Sequence, residues 1–274
     1  MTASDTVSEF VSDSVNAPDG TTIGFRRIGT GSPVVIVHGS ISTGEQWLAV
    51  GTQLAATNSV YIIDRRGRGL SGDAPEYSLG VEAADIAAVV ARAALDTGQT
   101  PVLLGHSYGA ICALETIRRG TDVAALVLYE PPLPVEGPVA GANLAPYAEA
   151  IDRGDREAAV RIAAEHFLRL PPELAEALEA GPGWPAILEL APTWTRELVE
   201  IDGSAALLTD FGALSVRTLL VHGEVSSPFL ITATAYLRDA LPDATERVLP
   251  RQEHLAHVTA PHLLVGEIRE FAGR

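Results

Sequence analysis

The sequence predicts an α/β protein in which a mostly parallel sheet is covered by helices on both faces. Short β-rich runs alternate along the chain with Ala- and Leu-rich stretches that have a helical pattern. Five of the β-rich runs are compact and largely apolar, which is typical of parallel strands buried on both faces. The length of 274 residues allows either two domains or one large α/β domain with an insertion.

The predicted strands begin with a hairpin. Val11 to Val15 and Thr22 to Ile28 are joined across Asn16 to Gly20, a turn-rich segment. The buried strands and a last strand follow in chain order: Pro33 to Val37, Val60 to Ile63, Val102 to Leu104, Ala124 to Tyr129, Thr218 to Val221 and Glu246 to Leu249.

Two helices are predicted between these strands from their terminal residues. Ser78 is a good N-cap for a helix that continues to Leu95, because its hydroxyl can accept a hydrogen bond from a first-turn amide. A second helix runs from Tyr108 to about Arg119 and is ended by Gly120, a residue suited to the left-handed conformation at a helix C-terminus.

Residues 133–210 break the alternation of strands and helices. They contain no convincing strand and several helical patterns, at Asp155 to Leu170, Pro172 to Glu179 and Pro185 to Ile201. We therefore expect a helical lid at residues 133–210, inserted into a core formed by residues 1–132 and 211–274. The segment from Glu149 to Asp202 has 12 acidic and 5 basic residues, a net charge of −7.

Composition and charge exclude several classes of function. The chain has 35 acidic and 19 basic residues, so its net charge of −16 repels the phosphates of nucleic acids and anionic lipids. We expect a small-molecule substrate, with no nucleic-acid partner and no membrane partner. All 19 basic residues are Arg, which excludes a Schiff-base lysine, a pyridoxal phosphate enzyme and a P-loop lysine. The sequence leaves the oligomeric state open.

The single cysteine and the absence of targeting patterns predict a cytoplasmic protein. Cys112 can form neither an internal disulfide nor a thiolate metal cluster, and we expect it to pack in the core. Met1 to Phe10 lacks the layout of a signal peptide. The long uncharged stretch from Thr97 to Leu114 is interrupted by Pro101 and Gly105 and does not form a membrane span.

Gly105-His-Ser-Tyr-Gly109 matches the G-x-S-x-G pattern of a nucleophile elbow. It directly follows a predicted strand and directly precedes a predicted helix, which is the context that this pattern requires. In such an elbow a strained turn lifts the serine hydroxyl above the sheet, and the helix N-terminus favours developing negative charge. Ser107 is therefore the candidate nucleophile, whereas His106 is expected to pack within the elbow.

A second turn can supply donors for an oxyanion. His38-Gly39-Ser40 follows the buried strand Pro33 to Val37 and places a backbone turn at a strand end. The predicted donors are the backbone N–H groups of Ser40 and Tyr108. His38 is a candidate pocket residue, although a role in shaping the loop is the stronger interpretation.

Four segments together resemble the α/β-hydrolase superfamily: Val35 to Gly39, Asp64-Arg-Arg-Gly-Arg-Gly-Leu-Ser71, Gly105 to Gly109 and Leu249 to His254. The resemblance spans roughly residues 20–130 and 215–272. It implies an eight-stranded, mostly parallel sheet, a lid between the sixth and seventh strands, and a nucleophile, an acid and a base in that order along the chain.

The resemblance assigns the general base to His254. This residue lies in the loop after the last strand and before the helix that Pro261 opens. His257 is the competitor, but it lies three residues further on, where it would line the entrance or cap the helix.

The acid departs from the common family pattern. The usual Asp stands three residues after the glycine that ends the seventh strand, and counting from Gly223 this position is Ser226. Two glutamates could replace this Asp and keep the order nucleophile, acid, base along the chain. Glu130 closes the strand that ends before Pro131, and the proline should hold Glu130 in an extended conformation. Glu224 directly follows Gly223 and lies about 6 to 7 Å of extended chain from position 226. We favour Glu130 over Glu224, and a histidine without an orienting carboxylate is the third interpretation.

Other motifs do not predict a cofactor. Gly67-Arg-Gly-Leu-Ser-Gly72 satisfies the dinucleotide-binding pattern G-x-G-x-x-G, but three residues separate it from the strand and Pro75 follows where the helix should run. The seven histidines show no metal-binding spacing. We therefore expect no cofactor and no metal.

These residues together predict a serine hydrolase acting through an acyl-enzyme on Ser107. Esters or lactones fit best and thioesters next, and carbon–carbon bond hydrolysis is also compatible. Two rivals stay open: a lyase or cofactor-free cyclase that uses His254 as acid and base, and a small-molecule binding protein on the same fold.

The charge of the predicted lid indicates a neutral, largely apolar substrate. Trp184, Trp194, Phe167 and Phe211 are expected to offer aromatic surface there. The opposing interpretation is a local positive pocket formed by arginines, for which the candidates are Arg65, Arg66 and Arg68.

Overall fold

The computed structural model describes residues 9–272, which contain one eight-stranded sheet. The strands are β1 (Val11–Asn16), β2 (Thr22–Ile28), β3 (Ser32–Val37), β4 (Asn58–Ile63), β5 (Val102–His106), β6 (Ala125–Tyr129), β7 (Thr218–Gly223) and β8 (Ala244–Leu249). Their order across the sheet is β1-β2-β4-β3-β5-β6-β7-β8. β1 and β2 are antiparallel to their neighbours and the remaining strands are parallel, as predicted.

Eleven α-helices lie within the described residues. They are α1 (Leu48–Leu54), α2 (Leu79–Thr97), α3 (Tyr108–Arg118), α4 (Leu144–Asp152), α5 (Arg156–His166), α6 (Pro172–Ala180), α7 (Trp184–Gly203), α8 (Leu208–Gly212), α9 (Pro228–Ala240), α10 (Ala256–Thr259) and α11 (Pro261–Ala272). The predicted cap of α2 is present, because the Ser78 side chain accepts a hydrogen bond from the Val81 amide and Gly98 ends the helix with a φ of 68°.

The strand side chains alternate between two cores, one on each face of the sheet. Val35 and Val37 pack on the face covered by α2, α3 and α9. Val34 and Ile36 pack on the opposite face, which α1 and α11 cover. This double burial explains why the central strands read as continuous apolar runs.

The connection from β6 to β7 holds α4 to α8 and, within residues 133–210, no strand. We refer to residues 133–210 as the helical insertion; the exact limits of a lid stay a prediction. The sequence did not predict α4. Its Pro146 is compatible with the helix because it lies in the first turn, where proline is tolerated. Among residues 9–272, no helix combines the length and apolar composition that a membrane crossing requires.

Candidate active site

Ser107 lies in a sharp turn between β5 and α3. Its backbone has a φ of 54° and a ψ of −128°, a conformation that non-glycine residues rarely adopt. The flanking glycines permit the turn: a Cβ on Gly105 would lie 2.5 Å from the Gly109 carbonyl oxygen, and one on Gly109 would lie 2.4 Å from that of His38. The turn therefore holds a strained, half-buried serine at the end of a central strand.

The turn that contains Ser40 packs against Ser107. A Cβ on Gly39 would lie 2.8 Å from the Ser107 Cβ, so the close approach requires glycine. Tyr108 begins α3, and its amide therefore has no carbonyl partner within that helix. The structure thus brings both predicted oxyanion-donor segments next to Ser107.

His254 is hydrogen-bonded to Glu130. The His254 Nδ1 lies 2.5 Å from the Glu130 Oε2, which leaves Nε2 as the second nitrogen of the ring. The Glu130 side chain is fully buried, whereas a quarter of the His254 side chain is exposed. This pairing is the geometry in which a carboxylate orients a histidine as a general base.

Two further donors hold the Glu130 carboxylate. Its Oε1 accepts hydrogen bonds from the Gly223 amide at 2.7 Å and the Ser226 hydroxyl at 2.5 Å. Burial opposes ionisation, but the hydrogen bond and charge of His254, aided by these two donors, hold the pKa of Glu130 below its usual range. Ser226, which stands where the resemblance expects the acid, therefore donates to Glu130.

The backbone of Glu130 corrects one expectation. Glu130 does end the strand, but its φ is +50°, so Pro131 does not hold it in an extended conformation. The hydrogen bonds of its amide to the Val221 carbonyl and of its side chain to Gly223 tie it to β7 and outweigh the preference before proline.

Glu224 is exposed and points elsewhere. Its Oε2 accepts a hydrogen bond from the Arg251 amide at 2.8 Å, and within residues 9–272 it has none with His254. The structure thus brings His254 together with Glu130 and not with the alternative acid.

Two other histidines are buried rather than open to a ligand. His38 Nε2 accepts a hydrogen bond from the Arg65 amide at 3.1 Å and its Nδ1 lies 2.8 Å from the Gly39 carbonyl, so His38 shapes the loop and has no free nitrogen. His257 stacks on Trp47 with ring centroids 4.5 Å apart and is fully buried, so the expectation that it lines an entrance is wrong.

The aromatic residues of the insertion form its interior. Trp194 packs edge-on against Tyr147 and Phe167, at centroid distances of 6.0 and 5.8 Å. These rings and Phe211 are buried, which corrects the expectation of an open aromatic surface; only Trp184, at the start of α7, is half-buried. These aromatic side chains belong to the same hydrophobic core as one face of the sheet, so they pack the insertion onto that core.

The three candidate arginines do not form an open positive pocket. Arg66 is bidentate to Asp85, at 2.7 and 2.8 Å. Arg65 donates to Glu82 at 2.7 Å and to Glu197 at 2.9 Å. Arg68 donates to the same Glu197 oxygen and to Thr193. Because all three side chains are buried against carboxylates, their charges are largely neutralised.

No metal site is formed in the described part of the chain. Within residues 9–272, no three side chains of the types His, Cys, Asp and Glu come together as a ligand set. Cys112 lies on α3 and is buried in the core, where burial raises the pKa of its thiol.

Comparison with known proteins now places this site in a family. The profile of the alpha/beta hydrolase family matches residues 34–267. The chain belongs to the α/β-hydrolase family. A solved α/β hydrolase from Sphaerobacter thermophilus has 29% sequence identity and a TM-score of 0.84, over 95% of this chain and 100% of that one.

Two other similar proteins have named activities. N-formylmaleamate deformylase from Pseudomonas putida is 38% identical over 113 residues, which is 40% of this chain and 40% of that protein. A thermophilic esterase from Thermogutta terrifontis is 25% identical with a TM-score of 0.75, over 97% of this chain and 98% of that one.

Local sequence patterns do not indicate the hydroxyl donors around Glu130 and His254. At Ser226 the pattern shows only that the expected carboxylate is missing, although a hydroxyl there can donate to a carboxylate on the neighbouring strand. Tyr129, directly before Glu130, is predicted only as part of a strand, but its hydroxyl contacts the loop that carries His254.

Proposed function

We propose that this chain is a serine hydrolase that cleaves a small ester or lactone through an acyl-enzyme on Ser107. The observation that carries the proposal is the hydrogen bond between His254 Nδ1 and the buried Glu130 carboxylate, at the same edge of the sheet as the strained Ser107 turn. A neutral histidine held with its proton on Nδ1 has Nε2 available to accept the proton of a serine hydroxyl.

In the proposed reaction His254 Nε2 takes the proton from the Ser107 hydroxyl as its oxygen attacks the substrate carbonyl. The amides of Ser40 and Tyr108 stabilise the negative charge on that carbonyl oxygen. The imidazolium, stabilised by Glu130, then protonates the leaving alcohol. Water, activated by the same histidine, attacks the acyl-enzyme and releases the acid.

The environment of the arginines supports a neutral substrate. Arg65 and Arg68 share Glu197, and Arg66 is paired with Asp85, so these side chains leave little net positive charge for an anionic substrate. The chain itself carries a net charge of −16. A coenzyme A thioester is therefore expected to be a poor substrate because of like-charge repulsion.

The substrate class is tested with one acyl group presented in two forms. We expect kcat/KM to be higher for a neutral ester than for the coenzyme A thioester, and rising salt should improve only the thioester by screening its repulsion. A preference for the thioester that weakens as salt rises would instead show a positive pocket at the site.

Hydrolysis of a carbon–nitrogen bond in a small molecule is a second candidate function. It is favoured by the 38% identity to N-formylmaleamate deformylase, over 40% of each chain. The same nucleophile and base would act, and comparing an ester with an N-formyl amide of matched size would distinguish the two functions.

Labelling with a fluorophosphonate tests the proposed nucleophile. We expect the wild type to be labelled and active, the Ser107→Ala variant to be neither, and Ser14→Ala, an exposed serine on β1, to behave as wild type. If Ser107→Ala keeps most of the turnover, the acid–base lyase or cyclase replaces the hydrolase. If the wild type neither reacts with the fluorophosphonate nor turns over any substrate, the small-molecule binding protein replaces the hydrolase as the proposed function.

A further inference from the structure

His254 lies in an exposed loop, between the end of β8 and the start of α10. Arg251, Glu253 and Leu255 in this loop are exposed. A general base must nevertheless hold its position to within a fraction of an ångström, because a displacement of about 1 Å can cost about 100-fold in rate. We therefore expect buried side chains under the loop to hold its main chain in place.

Two buried side chains bond to the main chain on both sides of His254. The Tyr129 hydroxyl donates to the Glu253 carbonyl oxygen and accepts a hydrogen bond from the Ala256 amide at 3.0 Å. The His106 Nε2 lies 2.9 Å from the carbonyl oxygen of His254 itself. The carbonyl groups before and after the His254 Cα are thus both held, which restrains the two backbone torsions that aim its imidazole.

The pairing of β5 with β6 explains why these two residues share the task. His106 and Tyr129 are Cα partners in the parallel register, and their rings lie 4.9 Å apart on the face below the loop. Each directly precedes a site residue, since Ser107 follows His106 and Glu130 follows Tyr129. The same strand ends therefore carry the nucleophile, the acid and the two anchors of the base loop.

The protonation states suit this arrangement. Burial raises the pKa of the Tyr129 hydroxyl, so that it remains a donor to Glu253. Burial also lowers the pKa of His106, which keeps its ring neutral with one N–H, and the carbonyl of His254 is the acceptor that places this proton on Nε2.

We propose that Tyr129 and His106 are positioning residues that fix the main chain of His254 and so set the aim of the general base. This inference rests on the proposed function of Ser107 and His254. Neither residue touches the substrate in this account. Their effect should therefore fall on kcat and leave KM unchanged.

Tyr129→Phe is the first test, because phenylalanine keeps the ring contacts and removes only the hydroxyl. We expect kcat for an ester to fall about tenfold with KM within about twofold of wild type, the loss that a displacement well short of 1 Å would give. Exchange of the Ala256 amide hydrogen should become faster. Tyr61→Phe is the matched control, since Tyr61 is also a buried strand tyrosine whose hydroxyl is bonded, to Asp96 at 3.1 Å, but on β4 away from the loop.

His106 provides a second test with a conservative rescue. His106→Gln can place an amide N–H near the position of Nε2 and should keep most of the wild-type kcat, whereas His106→Leu should lose about as much as Tyr129→Phe. Because both anchors act on one loop, the double variant Tyr129→Phe/His106→Leu should lose less than the product of the two single losses.

The outcomes separate the inference from the proposed function. If turnover by the wild type depends on Ser107 but Tyr129→Phe and His106→Leu both keep the wild-type kcat, the positioning inference is wrong. If both variants lose thermal stability and no kcat, which is the result expected of Tyr61→Phe, their role is only structural and the inference is again wrong. If Ser107→Ala turns over the ester as fast as the wild type does, the proposed function is wrong, and the positioning inference that rests on it is wrong as well.

Discussion

Glu130 and Glu197 are both fully buried carboxylates, but only Glu130 has a partner for each oxygen. Glu130 accepts from Gly223 and Ser226 on one oxygen and from His254 on the other. Glu197 accepts from Arg65 and Arg68 on Oε1, and its Oε2 accepts no well-formed hydrogen bond within residues 9–272, although the Ser40 hydroxyl lies near this carboxylate. Nε and Nη1 of Arg68 are likewise unpartnered there.

The difference follows from where the partners come from. The donors to Glu130 lie at or just after the ends of β7 and β8, the next two strands of the same sheet, so its network is built along one edge of a single layer. The Glu197 network instead joins three elements: α7 of the insertion, the turn after β4 that holds Arg65 and Arg68, and Glu82 on α2. We infer that the first network orients a catalytic group and the second fastens the insertion to the core.

The largest expected effect comes from Glu130→Gln. The amide has one acceptor oxygen where the carboxylate accepts from three donors, so the wrong imidazole tautomer of His254 becomes favoured and Nε2 can no longer take the serine proton. We expect kcat to fall about 10³- to 10⁴-fold with the fold retained, measured by ester hydrolysis and circular dichroism.

Glu224→Gln is the matched control for this loss. Glu224 is exposed and bonds only the Arg251 amide among the described residues, so an amide oxygen can replace its acceptor. Its kcat should stay within about twofold of wild type. A larger loss for Glu224→Gln than for Glu130→Gln would reverse the assignment of the acid.

Glu197→Gln should act on stability. Removing this charge leaves Arg65 and Arg68 buried beside each other with only Glu82 to compensate them, which should cost about 3–5 kcal/mol of unfolding free energy. Urea denaturation measures this cost. Glu179→Gln is the matched control, since Glu179 also pairs with an arginine in the insertion, Arg161, but at the surface, and we expect no measurable change.

The sequence predicted the sheet and the strained turn at Ser107 because both depend on local signals. The buried strands are continuous apolar runs, and the turn around Ser107 requires glycines at fixed positions. The contact between Glu130 and His254 instead depends on the lateral order of β6, β7 and β8, which is set by packing of the whole sheet. The partnership of Arg65 with Glu197 joins residues 132 positions apart through the insertion, and no local pattern indicates it.

Ser226→Ala tests how much the complete set of donors around Glu130 contributes. The variant removes the hydroxyl bonded to Oε1 and leaves the Gly223 amide as the donor to that oxygen. A hydrogen bond to a charged group is worth about 1.5–3 kcal/mol. We expect part of this free energy to be lost from the transition state, so that kcat falls about tenfold. Ser227→Ala is the control, because Ser227 makes no side-chain capping bond to α9. Equal rates for the two variants would show that Glu130 is held without Ser226.

His257 extends the comparison to a buried group with no partner at all. Both of its ring nitrogens lack a hydrogen bond within residues 9–272, although its ring packs on Trp47, His106 and Tyr129. Burial, aided by His254, lowers the pKa of His257 to about 3 from an ordinary value of 6.5. Between these two values the unfolded chain binds a proton that the folded chain does not.

The sign of the resulting pH dependence follows directly. The contribution of His257 to stability is fully present above pH 6.5 and is lost as the pH falls towards 3, at about 1.4 kcal/mol per pH unit. His257→Phe keeps the stacked ring and removes this titration, whereas the buried His38 and His106 remain in both proteins. We expect similar unfolding free energies for the variant and the wild type at pH 8, and a variant that is more stable by about 1–3 kcal/mol at pH 4.5. Parallel curves over this range would mean that His257 gains a proton or a hydrogen-bond partner in the folded state.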